Sequence, residues 1–302
     1  MKKKVVIMTM CLAGILLISG TRTKIMVQSS EVAENVSPEV PEEELSYYVA
    51  NKGKLFSNKE QEKQYEIYRN TVTISKYEHQ GAYLEAYKKE LEKKLAIEDN
   101  KLELGYTTNI AVKELEMQLK ETELQLQNIQ KQQIHCQETI QIYGGTYQPL
   151  QLPEDVASLN QNYIDNYLND NVQIKYYKYQ QKTYEEYLEE NEEAENAEDI
   201  EIQKDLLELD KQKYEADLQV YVKEKILQYE TDRNNIQQMD EKIALLQEKI
   251  RMNQELYQMG KITEMEITEM ETEQKRLEYE KMSLVCDAEC IRYILEHELE
   301  GL

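Results

Sequence analysis

The sequence predicts an all-α protein built from two tandem long helical hairpins, and three observations support that fold class. Sliding the 302-residue chain on itself by 155 positions (260 − 105) superposes Gly105 on Gly260 and aligns further identical residues on both sides. Apolar residues recur at alternating spacings of four and three around both glycines, which is typical of coiled-coil packing. Only 4 Pro and 9 Gly interrupt the chain, which suits long helices. Trp is absent, so the chain has few large apolar side chains with which to build a compact globular core. An internal duplication therefore determines the architecture.

The N-terminal segment 1–29 has the pattern of a signal peptide. Three lysines, Lys2 to Lys4, precede the apolar run 5–18, and the segment 27–29 suits a signal peptidase. The apolar run is short for a stable membrane span, so an uncleaved N-terminal anchor is the less favoured alternative. We expect export across the cytoplasmic membrane, to the cell envelope or the extracellular space.

Strong negative charge disfavours two classes of partner. The formal net charge is −23, and removal of a signal that carries five basic residues and no acid brings it to −23 − 5 = −28. Nucleic acid and anionic lipid surfaces are poor partners for such a chain.

The first half of the chain contains a leader and the first hairpin. Segment 30–58 carries Pro38 and Pro41 and little periodicity, which predicts a flexible leader. Segment 59–144 predicts the first helical hairpin, which ends at the pair Gly144 and Gly145. The linker 145–159 follows, with two further prolines.

The second helical repeat is predicted over 160–302. It begins with a tyrosine-rich run that lacks sustained period-two alternation, which favours helix over strand. Ten acids and no base then occur among the seventeen residues from Glu185 to Glu201, and their mutual repulsion predicts a break or a solvated loop. A long helix from about Ile200 to Tyr257 leads into the second glycine turn.

The cysteines leave alternatives open. Cys136 occupies a seam position whose repeat equivalent is Ile291, which favours a buried small apolar side chain. Cys286 and Cys290 share one helix face at a matching distance from their own turn, so a disulfide from Cys136 to Cys290 or to Cys286 is conceivable in a secreted protein. A metal site is the least favoured interpretation. No catalytic signature or phosphate-binding loop occurs, so we expect neither an enzyme nor a cofactor.

The repeated turn resembles that of the TolC-like outer-membrane efflux proteins. Their duplicated halves each contain a long helix, a turn of the form aromatic or Leu, any residue, hydrophobic, Gly, two residues, Thr, and a returning helix. The segment Leu256 to Glu266 fits that turn well, and the segment Lys101 to Ile110 fits it less closely. The resemblance covers roughly residues 60–144 and 165–300.

The resemblance implies a trimer whose helices form a hollow α-barrel, a conduit that carries molecules out of the cell. Its glycine turns would dock on a membrane-fusion-type adaptor that works with an inner exporter. Glycine suits a tip because it reaches left-handed backbone angles and allows close approach, and a following Thr caps the returning helix. Carried over by position, the adaptor-docking tips are Leu104, Gly105, Tyr106 and Thr108, and Met259, Gly260, Lys261 and Thr263.

Acids beside the second turn have two interpretations. Glu264 and Glu266 match acids that such proteins place near a narrow entrance, so they are candidate pore acids. They are equally compatible with a solvated helix start whose carboxylates suit the helix dipole.

One departure from the family affects the functional expectation. The family inserts membrane-spanning strands in each half, yet the sequence around residues 190–200 shows no alternating lipid-facing segment. Contact with a membrane would then be indirect or through the N-terminal anchor. The alternative function is that of a secreted coiled-coil structural or adhesive envelope protein with no channel.

Overall fold

A computed structural model describes residues 59–153, 156, 159, 163–190 and 197–297, and these residues form six helices and no strand. The helices are α1 (Lys59–Glu103), α2 (Asn109–Ile142), α3 (Tyr163–Asp170), α4 (Val172–Glu190), α5 (Ala197–Gln258) and α6 (Glu264–Glu296). The predicted all-α fold with two long hairpins, α1–α2 and α5–α6, is confirmed. The predicted signal peptide and leader lie outside the described residues. None of the described helices is both long and apolar enough to span a membrane.

The chain divides into two compact units. One contains the described residues 163–190 and 197–220, and the other contains residues 59–153, 156, 159 and 221–297. Helix α5 passes from the first unit into the second after Val220.

The larger unit is organised around α1, which packs against both α2 and α6. Burial of Val72 and Ile74, only two positions apart, follows from this arrangement, because residues two apart lie on nearly opposite faces of a helix. The apolar residues Ile129 and Ile140 of α2 and Leu277 of α6 are buried as well. Each such side chain contributes about 1.5–3 kcal/mol relative to exposure.

The two hairpins are offset along their axes. Thr272 Oγ1 of α6 lies 3.5 Å from the Ala86 carbonyl oxygen of α1, so these two residues are level. Ala86 precedes Gly105 by nineteen positions, whereas Thr272 follows Gly260 by only twelve, a difference of seven. At 1.5 Å per residue, the Gly105 turn therefore extends about 10 Å farther than the Gly260 turn.

A second contact between the same helices gives the same offset. Cys286 Sγ of α6 lies 3.4 Å from the Val72 carbonyl oxygen of α1. Val72 precedes its glycine by thirty-three positions and Cys286 follows its own by twenty-six, which is again a difference of seven. The offset therefore holds along the whole contact between α1 and α6.

The linker packs onto the same unit. Gly144 has φ 83° and ends α2, and Tyr147 packs against the cluster of Ile74, Cys136 and Ile140. Farther along, the Val156 carbonyl oxygen accepts a hydrogen bond of 3.0 Å from Arg233 Nε of α5. The linker thus contacts both hairpins.

In the smaller unit, the tyrosine-rich run is helical, as the sequence predicts. Asn171 Oδ1 accepts the Ile174 N–H at 3.1 Å at the start of α4, and the rings of Tyr177 and Tyr214 lie 5.9 Å apart. The acid-rich stretch is helical at residues 185–190, where α4 ends, and again from Ala197, where α5 begins, so a break or loop within it stays a prediction for the residues between. Residues 191–196 lie outside the described part of the chain. Helical extension keeps the carboxylates on solvated faces, which reduces their mutual repulsion.

Candidate functional site: the two hairpin turns

The two glycine turns have the same backbone hydrogen bonds. In the first, Gly105 N–H donates to the Leu102 carbonyl at 3.0 Å and Tyr106 N–H to that of Lys101 at 2.8 Å. In the second, Gly260 N–H donates to Tyr257 at 2.8 Å and Lys261 N–H to Leu256 at 2.9 Å. This pair of bonds is the Schellman motif, which satisfies the last carbonyls of a helix. The repeat seen in the sequence is thus also a repeat of backbone geometry.

Both glycines adopt left-handed backbone angles. Gly105 has φ 77° and Gly260 has φ 67°. A Cβ added at either position would meet nothing within 4 Å. Glycine is therefore favoured here by its backbone freedom, since side chains strain this region, and not by crowding.

Threonine caps the returning helix after each turn, as the sequence predicts. Thr108 Oγ1 accepts from Ala111 N–H at 3.4 Å at the start of α2. Thr263 forms a complete capping box, because its own N–H donates to Glu266 Oε2 at 2.7 Å while its Oγ1 accepts from Glu266 N–H at 3.3 Å. The second turn is the more strongly capped of the two.

Large apolar side chains are exposed at both tips. Leu104 is 70% exposed, Tyr106 80% and Met259 66%. Lys261 is also exposed beside Gly260. These exposed side chains adjoin the two glycines that the sequence predicts as docking tips.

The two candidate pore acids have partners within the chain. Glu264 Oε1 lies 2.6 Å from Lys93 Nζ of α1, and the same ammonium donates to Thr268 Oγ1 at 3.0 Å. Glu266 accepts hydrogen bonds from the Thr263 N–H and from the Thr263 hydroxyl. The first of these bonds, and after it the second, hold the pKa of the Glu266 carboxyl below its usual value. Glu266 therefore serves the helix start and Glu264 links α6 to α1, while a role of either acid in lining a pore stays a prediction.

Sequence reasoning missed an ion-pair network above the second turn. Lys94 Nζ lies 2.7 Å from Glu90 Oε1 and 2.8 Å from Glu269 Oε1, and so joins α1 to α6. On the α2 side, Lys88 Nζ lies 2.9 Å from Glu123 Oε1. Spacing identifies the pair within α1, but the pairs between helices depend on which helices are neighbours.

The three described cysteines are free thiols. Cys136 packs with Ile74 and Ile140, whereas Cys290 packs against a separate cluster. Burial raises the pKa of Cys286 to about 12 and, with Asp287 as the next cause, that of Cys290 to about 11. Neither candidate pairing of Cys136, with Cys290 or with Cys286, is formed; Cys136 and Cys286 are buried and Cys290 is partly buried. Among the described residues, no group of three or more His, Cys, Asp or Glu is arranged to hold a metal ion.

Comparison with known proteins identifies the fold. No protein-family profile matches the chain, and no curated protein matches it in sequence. Solved structures do match. CusC, whose structures concern folding and transmembrane channel formation, aligns over 87% of this chain and 82% of its own, with a TM-score of 0.68 and 13% identity.

A membrane protein from Pseudomonas aeruginosa is also similar. It covers 84% of this chain and 70% of its own, with a TM-score of 0.57 and 11% identity. The chain therefore shares with these structures a fold of paired long helices.

Proposed function

We propose that this protein is a TolC-like component of an export system. Copies of the chain assemble, as a trimer, into an α-helical conduit in the cell envelope. The observation that carries the proposal is the likeness in fold to a channel-forming protein over 87% of the chain. Two hairpins with long apolar seams supply the rods from which such a wall is built.

The glycine turns are the proposed docking site for a membrane-fusion-type adaptor that works with an inner exporter. Support comes from the matched Schellman geometry at Gly105 and Gly260 and from the exposure of Leu104, Tyr106 and Met259. An adaptor hairpin presents a similarly narrow tip. The glycines, which lack side chains, let the adaptor backbone come close to the turn, and the exposed apolar groups beside them supply contacts.

The first experiment measures assembly. A chain of residues 31–302, which lacks the predicted signal peptide, is examined by light scattering, and the same fraction is imaged by negative stain. A trimeric hollow cylinder is the expected result. A monomer or a solid two-stranded rod at micromolar concentration would contradict the conduit and favour a coiled-coil scaffold.

The second experiment measures docking on the helical hairpin of a membrane-fusion-type adaptor. The double change Leu104→Ser and Met259→Ser removes exposed apolar side chains from both tips, and we expect binding to weaken at least tenfold. Ile142→Ser is the matched control, because Ile142 is 80% exposed at the far end of α2. Equal affinity for the tip and control variants would count against docking at the turns.

A further inference from the structure

Two helices of the larger unit carry exposed apolar residues at heptad spacing. On α2 these are Ile110, Met117 and Leu124, which are 69%, 67% and 51% exposed. On α5 and just after it they are Leu245, Met252 and Met259, which are 55%, 55% and 66% exposed. We call these the α2 stripe and the α5 stripe. Each repeats every seven residues, as a coiled-coil contact does.

Both stripes face away from the packed sides of their helices. Met117 lies five residues from buried Val112 and five from buried Thr122, about 140° around the helix in either direction. Met252 lies two residues from buried Ile250, about 200° around α5. The inner face of α2 is covered by α1, and α5 reaches α6 through Lys281 Nζ and Asp240 Oδ1 at 2.6 Å. The stripes therefore lie on the outer sides of the two flanking helices.

Charges beside the stripes are complementary. On α2, lysines follow the apolar residues after three positions and glutamates after four: Lys113 and Glu114, Lys120 and Glu121. On α5 the signs are exchanged, with Glu248 and Glu255 three positions after the apolar residues and Lys249 four positions after Leu245. All seven side chains are exposed.

Chain direction determines which charges would meet. Helix α2 leaves its turn and α5 approaches its own, so helices whose tips point the same way pair antiparallel. An antiparallel pair brings equivalent heptad positions of the two helices together. The lysines of the α2 stripe would then face the glutamates of the α5 stripe, and the glutamates would face Lys249. Opposite charges at these flanking positions select partner and orientation.

We propose that the α2 stripe of one copy packs antiparallel against the α5 stripe of the next copy. The proposal rests on the proposed function and names the faces that join the wall of the conduit. The interface is heterologous, since different faces of the two copies meet, and such contacts close into a ring when the rotation allows.

The offset between the hairpins sets the register. A ring with its rotation axis along the helices keeps every residue at the same height. Met252 lies eight positions before Gly260, and the offset of seven makes it level with the fifteenth position after Gly105. Met117 and Leu124 are the twelfth and nineteenth positions after that glycine. Met252 therefore inserts between Met117 and Leu124 of the neighbouring copy, as a knob enters a hole.

Cross-linking between two separately purified variants tests this register. Leu124→Cys and Met252→Cys proteins are mixed and treated with a short bismaleimide, and covalent dimers are expected. The control mixture pairs Leu124→Cys with Leu227→Cys. Leu227 is 70% exposed, yet it lies twenty-five positions from Met252, which is about 38 Å along the helix. The unaltered protein supplies the background, because its described thiols are largely buried.

Charge exchange tests the pairing. Lys113→Glu with Lys120→Glu places like charges together, and we expect self-association to weaken roughly fivefold or more. Adding Glu248→Lys and Glu255→Lys to the same chain restores the attraction and should restore assembly.

The outcomes separate the interface from the conduit. An oligomer that cross-links equally well in the control mixture, or that the second charge exchange does not rescue, overturns this interface and leaves the conduit standing. Cross-linking and rescue in particles that are not hollow uphold the interface and overturn the conduit. A protein that stays monomeric overturns both.

Discussion

The Cys286 thiol of α6 donates a 3.4 Å hydrogen bond to the carbonyl oxygen of Val72 in α1, although the two residues are 214 positions apart. Val72 is fully buried and Cys286 nearly so. The contact belongs to the tight seam between the first helix of one hairpin and the last helix of the other. It also reports the offset of one heptad between the two turns.

Buried thiols in this seam should be slow to react. Burial raises the pKa of Cys290 to about 11, the lower of the two values on α6. At pH 8, thiolate is then roughly a hundredfold scarcer than for a thiol of ordinary pKa. We expect Cys286 and Cys290 to react with a disulfide reagent at least that much more slowly in the folded protein than in urea. Comparable rates in the two states would contradict the buried seam.

Replacement of either turn glycine by alanine should destabilise the fold, whereas replacement of a glycine inside a helix should not. Gly105→Ala and Gly260→Ala place a side chain at left-handed angles, and each should lower the free energy of unfolding by about 1–2 kcal/mol. Gly81→Ala, within α1 and with nothing within 4 Å of its added Cβ, is the control. It should raise stability by about 0.5–1 kcal/mol, because alanine is the better helix former. Urea unfolding measures all three, and equal effects would exclude the backbone explanation.

A buried carboxylate organises the far end of the seam. Glu289 is 3% exposed; it accepts from Tyr68 Oη at 2.9 Å and lies 2.6 Å from Arg292 Nη2. Glu289→Ala leaves the Tyr68 phenol without its acceptor, whereas Arg292 keeps its pair with Glu296 at 2.7 Å. We expect a loss of about 1–3 kcal/mol in unfolding free energy.

Glu278→Ala is the control for that change. It removes a partly exposed pair with Lys275 on the same helix and should cost less than about 1 kcal/mol. Losses of the same size for the two variants would show that burial does not govern the Glu289 contribution.

An uncompensated carboxylate faces another between α5 and α6. Asp232 Oδ2 is buried without a hydrogen-bond partner, and burial, followed by the negative charge of Asp287, raises the pKa of the Asp232 carboxyl. A raised acid pKa means that the folded state binds the proton more tightly than the unfolded state. Its ionisation therefore destabilises the fold increasingly as pH rises above the ordinary Asp value of about 3.9.

Asp232→Asn removes this penalty, so we expect a higher melting temperature at pH 7 and a smaller gain near pH 4. Thermal unfolding across that range provides the measurement. A gain that is independent of pH would exclude ionisation as the cause.

The turns were predictable because their chemistry is local. Gly105 and Gly260 adopt positive φ, and Thr108 and Thr263 cap the next helix, through contacts that span only a few residues. A repeated Gly and Thr at fixed spacing contains that information directly. The capping box at Glu266 follows the same local rule.

Contacts between distant helices were not predictable in the same way. The pairs Lys94–Glu269 and Tyr68–Glu289 require α1 to lie beside α6, and periodicity does not say which of four similar helices are neighbours. The same limit applies to the cysteines. Cys136 and Cys290 lie at similar distances from their own turns, but that similarity does not show that the two thiols are in contact.

By itself, the sequence determined the helical class, the two hairpins, their turns and their caps, since heptad periodicity and glycine conformation act over one or two helical turns. Only the tertiary structure decided that α1 is covered on two sides, that one turn extends a heptad beyond the other, and that Glu289 is buried. When one helix is shifted by seven residues along another, apolar residues of a heptad repeat still meet apolar residues. The register is therefore determined by the detailed side-chain packing between the helices.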